Sequence, residues 1–427
     1  ADPDYRNFCI DEDVSFDYSQ VTRPRTSKLF HGYQGKNGEM RLWTTFSEDQ
    51  VDLNLSNPAV LLEILDVVLF YAAKGASMIR LDAIPYMWKQ SGTNCVHRPQ
   101  THAFIRIVRL VLDITAPHVT ILSETNVPHA ENLTYFGNQG DEAQIIYNFT
   151  LAPLILYGLA TGDAEPLTRW AGSLIPPANR CTYLNITSTH DGIGMRPTEG
   201  ILTREQREVL TDLTVKHGGA VSARSNPDGS QSPYELNITF FDAVNNPNEE
   251  NPDDEIQMRR FLVSQAIPMA LAGIPAIYIH CLLGSRNDRQ GAEKSGIKRR
   301  INREKLDFDQ IMDALDDPQS LRSRIFNQLM ILLKARQSNS AFHPAAANTV
   351  LDLGRHIFAV LRENHETGQR ALTLHNLSHE SRGCIIPEDF PLEDARDLFD
   401  DNATLEPPHI LLPAYGIRWL VAPGRKT

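Results

Sequence analysis

From residue 57 onward, apolar positions recur with helical spacing and lead into short apolar runs that end in charged residues. PAVLLEILDVVLFYAAKG predicts a helix that ends at Gly75, and SMIRLD predicts the strand that follows it. The order recurs in THAFIRIVRLVLDITA before VTILSET, in LAPLILYGLA and a helix over Pro166–Leu174 before TYLNITSTHD, and in IQMRRFLVSQAIPMALAG before IPAIYIH. Short buried strands that alternate with longer helices predict parallel β/α units.

Ionisable residues lie at the carboxyl ends of these predicted strands: Arg80 and Asp82, Glu124, His190 and Asp191, and His280. In a (β/α)8 barrel, the loops after the strands converge on one pocket at this face. The pattern therefore predicts an α/β fold of the TIM-barrel type with an active site at the strand ends. A further strand, around Gln144–Tyr147, is weaker and supplies no obvious acid.

The two ends of the chain differ from this β/α pattern. After about Ala341, the alternating segments HIFAVLRE, RALTLHNLS and HILLPAYGIRWLVA predict a small antiparallel β domain. The first 56 residues contain no complete β/α unit and predict part of an insertion beside the barrel. We therefore expect an insertion remnant at residues 1–56, a catalytic barrel region at residues 57–340 and a C-terminal β domain at residues 341–427.

Composition narrows the possible partners and the compartment. The 427 residues contain 41 Lys and Arg against 53 Asp and Glu, and the only basic run is Lys298-Arg299-Arg300, so nucleic acid is not expected. The five cysteines are widely spaced and odd in number, which favours reduced thiols in a cytoplasmic protein. The longest apolar stretch, Phe261–Leu283, is interrupted by polar residues and prolines, so we expect no membrane span.

Two of the strand-end carboxylates fit the cleavage of a glycosidic bond with retention. That chemistry needs a nucleophilic carboxylate and an acid/base carboxyl about 5 to 5.5 Å apart. Asp82 and Glu124, at the ends of neighbouring strands, could meet this distance, although each alone is more often a helix cap or a surface charge. Arg80 lies on the same strand face as Asp82 and could keep the aspartate ionised, or it could form a structural salt bridge.

His190 and Asp191 form a second candidate pair. They could hydrogen-bond sugar hydroxyls and stabilise positive charge that develops on the ring, or they could cap the turn at Gly192–Gly194. The pair alone is uninformative.

Four segments, RLDAIPYMWKQSGT, LSETNVPHAENLTYF, TSTHDGIGMRPTEG and FSEDQVDLN, resemble in order and spacing the conserved regions of glycoside hydrolase family 13, the α-amylase superfamily. SNPDGSQSPYELNITFFDA and AGIPAIYIHCLLGSRND resemble the sucrose phosphorylase branch of that family. The resemblance implies that Asp82 is the nucleophile, Glu124 the acid/base and Asp191 the carboxylate that stabilises the transition state. It also implies that Arg80 and His190 lie beside the bound glucosyl ring.

The resemblance further implies a double displacement in which phosphate attacks a glucosyl ester and gives α-glucose 1-phosphate. Phe46 and Gln50 would flank the sugar. Phosphate needs cationic or multiple hydrogen-bonding partners, for which Arg196 is the candidate and Tyr234 a weaker one. A surface loop arginine is an equal alternative for Arg196. The reaction requires no metal and no organic cofactor, and the expected partners are a small sugar substrate and inorganic phosphate.

The donor and the reaction retain alternatives. ETNVPHAEN, after the acid/base, is more similar to glucosylglycerate phosphorylases than to sucrose phosphorylases, and an anionic acceptor such as glycerate would fit His129 or Arg286. An α-glucosidase, a sucrose hydrolase or a transglucosidase is the first alternative. A non-catalytic relative is the second. The oligomeric state stays open.

The resemblance also raises an expectation about the barrel. The family's barrel begins with three strands, and the third of them ends in an Asp and a His that hold the sugar, but no counterpart precedes Ala1. We therefore expect an incomplete barrel, with about strands 4 to 8 present, in a fragment that folds poorly or is inactive alone. A second chain that supplies the missing strands would change this expectation.

Overall fold

The computed structural model describes residues 5, 7–35, 38–174, 180–226, 228–400 and 408–423. Two compact units divide the chain. The first unit consists of Ala1–Tyr147, Pro177–Cys181 and Ser222–Tyr234. The second unit consists of Asn148–Pro176, Thr182–Val221 and Glu235–Thr427.

The strands of the described residues are numbered in chain order. They are β1 (Phe30–Gly35), β2 (Gly38–Trp43), β3 (Met78–Leu81), β4 (Thr120–Ser123), β5 (Ile145–Asn148), β6 (Thr182–Asn185), β7 (Ile193–Gly194), β8 (Ala220–Ser225), β9 (Gln231–Asn237), β10 (Ile274–Pro275), β11 (Ala347–Asp352), β12 (Ile357–Glu363), β13 (Arg370–Asn376), β14 (Arg382–Ile385), β15 (Arg396–Asp397), β16 (His409–Leu412) and β17 (Ile417–Ala422).

The helices are numbered in the same way. They are α1 (Pro58–Ala73), α2 (Pro99–Thr115), α3 (His129–Leu133), α4 (Leu151–Thr161), α5 (Glu165–Gly172), α6 (Arg204–Lys216), α7 (Phe240–Val244), α8 (Asp254–Ala270), α9 (Ile279–Leu282), α10 (Arg289–Ser295), α11 (Phe308–Asp316) and α12 (Leu321–Gln337).

The first unit contains the parallel strands that carry two of the candidate carboxylates. Strands β3 and β4 pair from Met78↔Thr120 to Leu81↔Ser123, and β4 pairs with β5 through Ser123↔Ile146. This register aligns the carboxyl ends of β3 and β4, so the residues that follow them emerge side by side. The antiparallel pair β1 and β2 forms a separate hairpin in the same unit, which the sequence pattern did not predict.

Helix α1 begins and ends at residues that favour a helix terminus. The side chain of Asn57 accepts a hydrogen bond from the backbone N–H of Ala59, and Pro58 occupies the first turn. Gly75 takes a φ of +92°, and the N–H of Ala76 reaches back to the carbonyl of Tyr71 at 3.1 Å. A left-handed residue after the last helical turn is the usual role of glycine, so this end was readable from sequence.

The apolar residues of α1 are only partly covered. Leu62, Val67, Phe70 and Tyr71 are each more than half exposed. Met78, on β3, is 41% exposed. A patch of large apolar side chains of this kind is usually covered by other protein.

The second unit holds the largest core and the C-terminal β domain. Strand β6 pairs in parallel with β10 through Leu184 and Asn185, and helices α4 and α8 contribute more buried core residues than any other described helix. Strands β11 to β13, β15 and β17 form one antiparallel sheet, in the order β11-β12-β13-β17-β15, and β14 pairs with β16. The alternating segments after Ala341 therefore form antiparallel strands. The predicted boundaries at residues 56 and 340 stay predictions.

Two buried arginines bind the carbonyl groups at the end of helix α8. Arg336 donates to the carbonyl of Met269 and, at 2.7 Å, to that of Gly273, and Arg362 donates to the carbonyl of Ala270 at 3.0 Å. Burial lowers the pKa of Arg336 to about 10, and burial together with the charge of Arg336 lowers the pKa of Arg362 to about 9. Helix ends leave carbonyls without intrahelical partners, and these guanidinium groups satisfy them.

One predicted strand is wrong in its extent. IPAIYIH was expected to be a strand that delivers His280 to its carboxyl end, but β10 covers only Ile274 and Pro275. Pro275 has no N–H to continue the ladder, and the chain turns into α9 after Tyr278. His280 is therefore a buried helical residue, and burial lowers the pKa of its imidazole.

The five cysteines carry free thiols. Within the described ranges, no helix combines the length and the apolar character that crossing a membrane requires.

Candidate active site

Asp82 and Glu124 lie side by side because their strands end together. Each directly follows its strand, and the backbone N–H of Glu124 continues the parallel ladder by donating to the carbonyl of Leu81 at 3.0 Å. The backbone N–H of Ala83 donates to Oε2 of Glu124 at 3.0 Å. Ala83 adopts a left-handed φ of 49°, which few residues other than glycine adopt and which often marks a functional turn.

Arg80 connects the two carboxylates. Its Nη1 lies 2.5 Å from Oδ1 of Asp82, and its Nη2 lies 4.0 Å from Oε1 of Glu124. Burial disfavours the charged guanidinium, but the charges of Glu124 and Asp82 outweigh that effect and raise the pKa of Arg80. The ring of Tyr147 faces the same guanidinium at 5.7 Å. The structure thus brings Arg80, Asp82 and Glu124 into one cluster.

The two carboxylates differ in access. The side chain of Asp82 is 61% exposed, whereas that of Glu124 is 11% exposed. An accessible carboxylate can approach an anomeric carbon, and a neighbouring carboxyl that is more buried can deliver a proton. This division of roles agrees with the sequence-based assignment, which stays a prediction.

Phe46 and Gln50 occupy different surroundings in the first unit. The ring of Phe46 meets Tyr86 edge to face at 5.4 Å between centroids, and Tyr86 belongs to the turn that follows Asp82. Phe46 is therefore tied to the loop of the candidate nucleophile. Gln50 is exposed, and its side-chain oxygen accepts a hydrogen bond from Ser47 at 2.8 Å.

Tyr234 is buried in the first unit, and the guanidinium of Arg25 lies 5.0 Å from the centre of its ring. A cation over an aromatic face fixes the ring.

The second unit holds His190 and Asp191. Two arginines contact Oδ1 of Asp191: Nη1 of Arg299 at 2.6 Å and Nη2 of Arg303 at 2.9 Å. Nε2 of His190 lies 3.7 Å from the same oxygen, and the side chain of His190 is 55% exposed. Asp191 is thus held by cations, whereas His190 stays accessible.

Sequence reasoning missed Arg299 and Arg303 as partners of Asp191. They lie more than a hundred residues further along the chain, and no local spacing links them to the His190-Asp191 pair. The available signal was the basic run that includes Arg299, because a run of cations is unusual in a chain with a net negative charge.

Arg196 is 8% exposed, so the surface-loop alternative is wrong. Its Nε lies 4.0 Å from Oε1 of Glu199, and neither Nε nor Nη1 has a hydrogen-bond acceptor among the described residues. Buried guanidinium nitrogens without an acceptor are costly, and an anion could satisfy them.

Of the two weaker candidates for an anionic acceptor, Arg286 is already engaged. Its Nη1 lies 3.1 Å from Oδ1 of Asp242, and its Nη2 donates to Gln257 at 2.8 Å. His129 begins helix α3, and burial lowers the pKa of its imidazole.

Comparison with known proteins shows which proteins the chain is similar to. Residues 2–168 match the family model described as the alpha amylase catalytic domain. A glucosylglycerate phosphorylase from Spirochaeta thermophila is 42% identical over 387 residues, which cover 91% of this chain and 65% of that protein. One from Allomeiothermus silvanus is 45% identical over 350 residues, which cover 82% of this chain and 63% of that protein. The chain thus spans somewhat less than two thirds of the length of these curated relatives.

Among solved structures, sucrose 6F-phosphate phosphorylase from Thermoanaerobacter thermosaccharolyticum matches with a TM-score of 0.73 and 21% identity, covering 87% of this chain and 73% of that chain. At this identity the likeness shows the fold alone, a β/α barrel with a C-terminal β domain, which confirms the predicted TIM-barrel type. The expected incompleteness of the barrel stays a prediction. Residues 2–168 are thus similar to the catalytic domain of the α-amylase superfamily, glycoside hydrolase family 13. Over most of its length the chain is similar to glucosylglycerate phosphorylases.

Proposed function

We propose that this chain provides the catalytic residues of a retaining α-glucoside phosphorylase, which transfers a glucosyl group to phosphate and releases α-glucose 1-phosphate. The observation that carries the proposal is the cluster in which Arg80 contacts the carboxylates of both Asp82 and Glu124. Glucosylglycerate is the preferred donor in the proposal, because the two relatives described above are glucosylglycerate phosphorylases. Sucrose is the alternative donor.

The reaction proceeds in two displacements. A carboxylate oxygen of Asp82 attacks the anomeric carbon, the glycosidic bond breaks, and Glu124 gives its proton to the leaving oxygen. An oxygen of hydrogen phosphate then attacks the β-glucosyl ester, Asp82 leaves as a carboxylate, and Glu124 takes the phosphate proton. Two inversions give net retention. Asp191 stabilises positive charge on the ring in both transition states.

The assignments at the glucosyl ring follow the family resemblance, and the assignment at the phosphate follows side-chain chemistry. Arg80 and His190 contact the glucosyl ring, and Phe46 and Gln50 flank it. Arg196 binds phosphate. The support for Arg196 is its burial together with its two nitrogens that lack acceptors among the described residues. Tyr234 is a weaker candidate for the acceptor, because the Arg25 guanidinium already faces its ring.

We further propose that the parallel strands of this chain are part of the family's eight-stranded barrel, about strands 4 to 8. The exposed apolar side chains of α1 and Met78 support this, because the remaining barrel would cover them. The five free thiols support a cytoplasmic location.

The test supplies glucosylglycerate or sucrose with and without phosphate and measures α-glucose 1-phosphate and free glucose. It compares this chain with a version extended by the family's other barrel strands, and Asp82→Asn is the control in both. Phosphate-dependent release of α-glucose 1-phosphate, lost in the Asp82 variant, supports the proposal, and the faster donor identifies the substrate. Free glucose alone indicates a hydrolase. No product from either version indicates a non-catalytic relative.

A further inference from the structure

A buried carboxylate in the second unit is linked to Asp191 through one shared arginine. Glu235, on strand β9, is 1% exposed. Its Oε2 and Oε1 accept from Nε and Nη2 of Arg299 at 3.0 and 2.8 Å. Nη1 of the same guanidinium lies 2.6 Å from Oδ1 of Asp191. All three nitrogens of Arg299 are therefore engaged by two carboxylates.

The position of Glu235 relative to the Asp191 loop is fixed by the backbone. Strand β7 directly follows the loop and pairs with β9 through Ile193↔Leu236 and Gly194↔Glu235. Gly192, the residue after Asp191, packs so tightly that a Cβ there would come within 2.4 Å of the carbonyl oxygen of Leu236 and 2.6 Å of Cγ of Glu235. Only glycine fits this approach. The strand pairing and the close packing of Gly192 therefore hold the Asp191 loop next to Glu235 without Arg299.

The segment that carries Arg299 also holds the backbone of the same loop. Nδ2 of Asn302 donates to the carbonyl of Asp191 at 3.0 Å and to that of His190 at 3.3 Å. Nε of Arg303 donates to the carbonyl of His190 as well. Asn302 and Arg303 therefore hold the backbone of the loop, and Arg299 and Arg303 hold the carboxylate of Asp191.

The contacts on Asp191 select one of its oxygens. Arg299 and Arg303 both lie closest to Oδ1, and among the described residues no hydrogen bond to Oδ2 is formed. A carboxylate fixed at one oxygen presents the other in a defined direction. A carboxylate that binds a pair of hydroxyls on the glucosyl ring needs such a defined direction.

We propose that Glu235 is a positioning residue for the reaction: it fixes Arg299 by two parallel hydrogen bonds, and Arg299 in turn orients Asp191 toward the glucosyl ring. The inference rests on the proposed function, because it assumes that Asp191 acts on the ring. Loss of the Glu235 charge frees Arg299 to rotate, and Asp191 then loses its orientation.

The kinetic test uses Glu235→Gln, which preserves the shape and removes one acceptor. With glucosylglycerate and phosphate, we expect kcat to fall about 10- to 100-fold, the range that a misplacement of about 1 Å produces, while the KM of the donor changes less than about threefold. The matched control is Glu142→Gln, because Glu142 is also 1% exposed and pairs with Arg106 at 2.8 Å. Equal losses of kcat in the two variants would show that Glu235 has a structural role only.

A double-mutant cycle tests the route through Arg299. If Glu235 acts through Arg299, adding Glu235→Gln to Arg299→Gln lowers kcat by less than about twofold further. Independent effects would instead multiply, and that result overturns the inference.

Crystal structures of the unmodified chain and of Glu235→Gln decide the geometry without turnover. We expect Nη1 of Arg299 to move out of hydrogen-bonding distance of Oδ1 of Asp191 in the variant. An unchanged contact overturns the inference even in an active protein. If the unmodified chain is inactive and Glu235→Gln still shows the expected movement, the result argues against the proposed function and not against the positioning by Glu235.

Discussion

His375 gives a stability prediction whose magnitude follows from its surroundings. The residue lies on β13 and is fully buried. Its Nδ1 lies 3.1 Å from the carbonyl oxygen of Phe358, and its Nε2 accepts from the indole N–H of Trp419 at 3.3 Å. Because a carbonyl only accepts and an indole N–H only donates, the ring is neutral with its proton on Nδ1.

Protonation of Nε2 would break the bond to Trp419. Burial lowers the pKa of His375 to about 4, although the bond to Phe358 acts in the opposite direction. In the unfolded chain the imidazole has a pKa of about 6.5. Between pH 6.5 and pH 4 the unfolded chain therefore binds a proton that the folded chain does not bind, so the free energy of unfolding falls as the pH falls.

The expected effect is measurable. The pKa difference corresponds to about 3 kcal/mol when the whole interval is crossed, and to about 2 kcal/mol on going from pH 8 to pH 5. That loss lowers the melting temperature by roughly 4–8 °C for a domain of about 150–250 residues. Calorimetry at pH 8 and pH 5 should show a smaller decrease for His375→Gln than for the unmodified chain.

Other buried histidines do not obscure the comparison. Burial also lowers the pKa of His129, His217 and His280, but these residues are present in both proteins and cancel in the difference. His379→Gln is the control, because the side chain of His379 is 77% exposed. The reasoning is refuted if His375→Gln shows the same pH dependence as the unmodified chain.

Three further predictions concern single side chains. Glu124→Gln should slow turnover of glucosylglycerate by about 10²- to 10⁴-fold, and turnover of glucosyl fluoride, whose leaving group needs little protonation, much less; equal losses in steady-state assays would contradict an acid role. Arg196→Met should raise the KM for phosphate about tenfold or more and leave the KM of the donor unchanged, and an unchanged phosphate KM would remove Arg196 from the acceptor site. Arg362→Met should lower the free energy of unfolding by about 3 kcal/mol, because it leaves carbonyls such as that of Ala270 without a donor; denaturant unfolding with no change in midpoint would contradict this.

Helix α1 and the first candidate cluster were predictable from local pattern. Helix α1 has an Asn57 cap and a Gly75 stop, and Asp82 and Glu124 follow strands whose apolar runs are clear in the sequence. Because parallel neighbours end together, the closeness of the two carboxylates followed from the strand pattern. The two-residue period of a strand predicted that Arg80 lies on the same face as Asp82.

The surroundings of Asp191 could not be predicted in the same way. Arg299 and Glu235 meet it through tertiary packing between distant segments, and no periodicity relates them. The extent of β10 was misjudged because the apolar run IPAIYIH was given more weight than Pro275, which has no N–H to continue the ladder. The burial of Arg196 was equally unreadable, since polar loops are usually exposed.

The most direct test of the account is to trap the covalent intermediate. A 2-deoxy-2-fluoroglucosyl fluoride slows both displacements but keeps a good leaving group, so the ester on the nucleophile accumulates. Mass spectrometry of the digested protein should find one fluoroglucosyl group on the peptide that contains Asp82, and none on Asp82→Asn. A label on another carboxylate, or none in a protein that turns over glucosyl fluoride, would contradict the assignment of Asp82 as the nucleophile.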